Sequence, residues 1–81
     1  MYNTEKLKSI LGRKVRLNDG KRDLGINISE LAREIGCPSS EVLTSLKQLQ
    51  YEGEIKRLIQ VGWSKDDYTL TVLEKSSILN P

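Results

Sequence analysis

Apolar side chains recur early in the chain at the spacing of one helix face. Leu7, Ile10 and Leu11 stand at i, i+3 and i+4, which predicts a short helix that Asn3 or Thr4 can cap with a side-chain oxygen. Gly12 is its expected stop, and Val15 joins the stripe only if the helix runs on. A second set, Leu31, Ala32 and Ile35, follows Ser29, the expected cap, and closes at Gly36, a residue type suited to a left-handed helix end. Pro38 and Ser39 open a third helix, since the N–H that proline lacks would be free in a first turn anyway. Val42, Leu46 and Leu49 form its apolar stripe and Gly53 ends it. The period then drops to two: Tyr68, Leu70 and Val72 alternate with Thr69 and Thr71, the mark of a half-buried strand. Strands are expected over Gly25–Ile28, from Glu54 to Val61 and from Tyr68 to Leu73, the last two joined through residues 62–67.

This succession is an α+β domain of three helices with a small antiparallel sheet, expected over residues 1–73, with a polar tail at 74–81. Residues 12–23 fit it least well. Asn18-Asp19-Gly20 signals a turn, and Val15 and Leu17 alternate with Lys14 and Arg16. A basic hairpin or a basic loop is expected there.

Composition narrows the chemistry. An 81-residue chain buries only about 60–65% of its unfolded surface, so its stability is expected to be modest. Phe is absent, which leaves Leu, Ile and Val to fill the core, with three Tyr and one Trp as the large rings. Without His, the commonest general base and metal ligand is missing, and the scattered carboxylates have no metal-ligand spacing. No enzyme, cofactor or metal is expected. Cys37 has no partner for a disulfide within the chain and is expected to be a small core residue. No apolar run reaches the roughly 18–20 residues that span a bilayer, and no signal peptide is recognised, so a cytoplasmic protein without a membrane partner is expected.

Charge is unevenly placed. Lys6, Lys8, Arg13, Lys14, Arg16, Lys21 and Arg22 face a single acid, Asp19, over residues 6–22, whereas five basic and seven acidic residues follow from Glu34 onward. Such asymmetry points to an anionic partner near the N-terminal part.

The pairing of Gly36 with Gly53 around a helix opened by Pro38-Ser39-Ser40, followed by Glu54-Ile55 and an alternating strand, resembles the winged helix-turn-helix. The resemblance covers Thr4 to Leu73 and makes residues 12–23 an insertion. It implies double-stranded DNA binding, as in a small transcriptional regulator, with helix three in the major groove. Its outer positions are Ser39, Ser40, Leu43, Thr44, Lys47 and Gln48. Of these, Ser39, Ser40, Thr44, Lys47 and Gln48 are the expected DNA contacts, although Glu41 and the absence of Arg make this helix a weak reader. Lys56, Arg57 and Lys65 on the wing, and Arg13, Lys14, Arg16, Lys21 and Arg22 in the basic block, are expected to lie on phosphates. Trp63 at the wing tip either covers the core edge or makes a contact. Leu43 and Lys47 replace the Asn and Tyr of Z-DNA-binding members, which excludes that subgroup. If the domain is a homodimer, pairing through helix one or the tail is expected to set the spacing of two half-sites. The rival reading is a protein-docking module or an accessory domain of a larger nucleic-acid-processing assembly, anchored by Leu43 and Trp63.

Overall fold

A computed structural model describes residues 3–80. The elements run α1 (Thr4–Leu17), β1 (Asp23–Asn27), α2 (Ile28–Ile35), α3 (Ser39–Tyr51), β2 (Ile55–Gln60) and β3 (Asp67–Val72). Three helices pack on one antiparallel sheet of order β1-β3-β2, an α+β arrangement.

α1 does not stop at Gly12. The helix continues for another turn and a half and buries Leu7, Ile10, Leu11 and Val15 together. Residues 12–17 are thus helix, and a short turn with positive φ at Asp19 and Gly20 follows, rather than a basic hairpin or loop across 12–23. Gly12 serves a close approach instead: a Cβ there would lie 2.9 Å from the backbone oxygen of Ile78. Asn3 precedes the helix but caps nothing; its amide donates to Glu41 Oε1 at 3.2 Å and ties the start of α1 to α3.

α2 follows β1 with no loop. Asn27, not Ser29, is its cap, accepting the Glu30 N–H at 3.0 Å. Both residues have capping side chains, and β1 decides between them by running straight to Asn27. Gly36 closes the helix at φ +85, as expected. Pro38 sits at the N-cap of α3, one residue before the helix rather than within its first turn. At the far end the Gly53 N–H reaches the Gln50 carbonyl at 3.1 Å and the Glu54 N–H reaches that of Leu49 at 2.9 Å. This closure needs the left-handed φ of +78 at Gly53.

The core fills the space between helices and sheet. Val42, Leu46 and Leu49 of α3 meet Leu7 and Leu11 of α1, Leu31 of α2, and Leu24, Ile26, Ile55, Leu70 and Val72 of the sheet in one buried cluster. The large rings contribute little. Trp63 and Tyr51 are exposed and Tyr68 is half-buried, while Tyr2 lies outside the described residues. Cys37 is half-buried against the cluster. β2 is interrupted between Lys56 and Ile59 by a bulge, where Arg57 takes φ +57.

The tail is part of this core. Ile78 is only 3% exposed, and Ser76 is buried beside it. One carboxylate oxygen of Glu54 organises the segment, accepting from the Ser76 hydroxyl, the Ser77 N–H at 2.8 Å and the Ser77 hydroxyl at 3.0 Å. The Ser76 bond holds the Glu54 carboxyl below its ordinary pKa; partial burial opposes this, and both Ser77 donors and the Lys8 charge add to the lowering. A carboxyl with a lowered folded-state pKa stabilises the fold above its unfolded value, and that contribution is lost as pH falls through the folded one. Denaturant midpoints measured down an acid series should therefore fall in that window. Glu54→Gln should flatten this acid limb and cost about 1–2 kcal/mol at neutral pH; an unchanged limb would contradict the role.

Candidate nucleic-acid interface

α3 divides cleanly into two faces. Its inner stripe is wholly buried, whereas Ser39, Ser40, Thr44, Lys47 and Gln48 are exposed along the outer side. Leu43, expected among the outer residues, instead leans on the core and is half-buried. The outer polar groups are held locally: Thr44 Oγ1 donates to the Ser40 carbonyl at 3.0 Å and Gln48 Nε2 to Glu52 Oε2 at 3.0 Å. Such exposed bonds can be exchanged for bonds to a ligand at small net cost.

Two residues join this surface that the sequence reading passed over. Tyr51 is 87% exposed and stands four residues after Lys47 and seven after Thr44, so helical spacing puts it on the same side. Arg33 is exposed on α2 and lines a shallow depression with Ser29, Gly36, Pro38 and Ser39, at the mouth of the α2–α3 turn. The spacing from Thr44 to Tyr51 was readable; Arg33 becomes adjacent only once the turn is folded.

The basic residues fall into two groups. Arg13 is tied to Glu34 of α2, and Arg22 Nη1 donates to the Val72 carbonyl at 3.0 Å, so both brace the fold. Lys14, Arg16 and Lys21 make no ion pair among the described residues; Arg16 and Lys21 are exposed and Lys14 is half-buried. Free positive charge in the expected clamp is therefore smaller than its residue count. On the β2–β3 hairpin, Lys56, Arg57 and Lys65 are all exposed. Gln50 Oε1 accepts the Leu58 N–H at 3.2 Å, which fixes the last turn of α3 to β2.

The hairpin tip is ordered by its own bonds. Gly62 turns the chain at φ +69, Ser64 Oγ accepts the Asp66 N–H at 3.2 Å, and the Val61 N–H reaches the Asp67 carbonyl at 2.9 Å. From this turn Trp63 stands fully in solvent, so it does not cover Leu58 or Tyr68. Its fluorescence should match indole in water, and Trp63→Ala should change stability by less than about 0.5 kcal/mol. A blue-shifted spectrum in the free protein would contradict that placement.

Among the described residues no group of three or more His, Cys, Asp or Glu is placed to hold a metal ion, and no helix is long and apolar enough to cross a membrane. No protein-family model, curated protein or solved structure matches the chain. What the site can do is therefore read from its own side chains.

Proposed function

We propose that this chain is a winged helix-turn-helix that binds double-stranded DNA through the outer face of α3, as in a small transcriptional regulator. The observation that carries the reading is the division of α3 into a fully buried stripe and a polar face exposed from Ser39 to Gln48. An exposed helix of this kind fits the major groove, where hydroxyl and amide groups can meet base edges. Ser39 and Ser40, at a helix start whose first N–H groups have no helical partner, suit a phosphate. Thr44 and Gln48 are the base-edge candidates, and Lys47 and Arg33 neutralise the backbone beside them. The hairpin would act as the wing, laying Lys56, Arg57, Lys65 and Trp63 along the flanking strand. Lys14, Arg16 and Lys21 would extend the phosphate track.

Affinity for random duplex DNA across a salt series tests this directly. The log of affinity should fall with log salt by about 0.9 per neutralised phosphate, and a Lys14→Ala, Arg16→Ala, Lys21→Ala variant should shallow the slope by two to three units. Arg13→Ala should leave the slope in place, because its charge is already met by Glu34. A slope that ignores the triple variant would reduce these residues to solvated surface.

Protein docking is the second reading, favoured by one observation: Tyr51, Ile59 and Val61 are exposed beside the same helix and hairpin. Aromatic and aliphatic groups without charge are typical of the centre of a protein interface. Duplex DNA that fails to bind at low salt would select it.

A further inference from the structure

The apolar stripe of α1 and Ile78 of the tail are taken up in the chain's own core. The sheet has two outer edges, β1 and β2. We infer that the free edge of β1 pairs antiparallel with β1 of a second copy of this chain, about a two-fold axis at Gly25.

The ladder determines which groups are available. Asp23 faces Thr71 in the register, and the bonds from Val72 N–H to the Arg22 carbonyl and from Ile28 N–H to the Asp66 carbonyl bracket the pair. Hydrogen-bonded pairs alternate in an antiparallel ladder, so Leu24 and Ile26 turn their N–H and C=O toward β3. Asp23, Gly25 and Asn27 turn theirs outward. The Asp23 carbonyl is taken by Asn18 Nδ2 at 3.2 Å, and the carbonyl of Asn27, as a helix cap, enters the first turn of α2. What remains is the N–H and C=O of Gly25 and the N–H groups of Asp23 and Asn27. A two-fold at Gly25 satisfies the central pair reciprocally, N–H to C=O in both directions.

The surroundings favour the same partner. Nothing lies within 4 Å of the position a Gly25 Cβ would occupy on the sheet face. Lys14, Leu17 and Asn18 flank the Asp23 end, and Glu30 flanks the Asn27 end. Antiparallel pairing sets Lys14 of each copy toward Glu30 of the other, and Asp23 against Asn27. Leu17, 79% exposed at the end of α1, stands at the same end as Lys14 and faces the partner's Glu30 end in the pair. β2, the other edge, is blunted by its bulge and by the cations Lys56 and Arg57, and its Leu58 N–H is already bonded. β1 carries no such protection. The paired sheet would run β2-β3-β1-β1-β3-β2 and present two α3 helices about one axis.

This pairing does not depend on DNA binding, and its test contains no DNA. Sedimentation equilibrium of the full chain over a wide concentration range should show a reversible monomer–dimer transition, with the Gly25 amide gaining hydrogen-exchange protection as the dimer forms. Gly25→Pro removes the central donor at an edge position that tolerates proline. Leu17→Glu sets an acid near the partner's Glu30 without touching the core, and serves if the proline variant fails to fold. Each should raise the dissociation constant at least tenfold. A chain that stays monomeric throughout, or a dimer in which the Gly25 amide exchanges as freely as in the monomer, would overturn the proposal.

Discussion

Replacing Ile78 with alanine is expected to remove about 2–4 kcal/mol of folding stability, the usual cost of truncating a fully buried aliphatic side chain. For a domain of this size that approaches the whole margin, which is on the order of 5 kcal/mol. The residue lies in a segment that reads as a polar tail, yet it is 3% exposed and sits on α1 where Gly12 leaves room. A β-branched side chain at Gly12 should act on the same contact: Gly12→Val would press on the Ile78 carbonyl and cost about 1–3 kcal/mol by overpacking. Thermal or urea unfolding measures both. An Ile78→Ala protein within about 0.5 kcal/mol of the parent would mean that the tail is only laid on the surface.

The second large effect concerns binding. Thr44→Ala with Gln48→Ala should cost roughly 1–3 kcal/mol on a preferred duplex and much less on random DNA, because base-edge bonds carry sequence discrimination while phosphate contacts do not. The loss should come with almost no change in stability, since both side chains are exposed and bond only to their own helix. Equal loss on both kinds of DNA would make them positioning residues. Full binding by the double variant would remove α3 from the interface and favour protein docking.

The helical stripes were legible because each is local: Val42, Leu46 and Leu49 need only a period of 3.6 to be placed on one face, and all three are buried. Gly36 and Gly53 were legible for the same reason, each ending a stripe with a positive φ. Gly12 was misread because a glycine that stops a helix and one that admits a crossing chain look alike until Ile78 arrives from 66 residues away. Arg13 and Arg22 counted as free cations in the sequence, since Glu34 and the Val72 carbonyl come beside them only in the folded chain. Leu43 occupies an outer helical position by count, but the neighbouring elements reach round far enough to half-bury it. Non-local approach, rather than weak propensity, accounts for each of these departures.

The most direct measurement of the central claim is an amide chemical-shift titration of the labelled chain with a short random duplex at low salt. Binding through α3 and its hairpin predicts the largest shifts at Ser39, Ser40, Thr44, Lys47, Gln48 and Tyr51, with Arg57, Trp63 and Lys65 following, and reversal when salt is added. Shifts confined to other surfaces, or none at all, would contradict it.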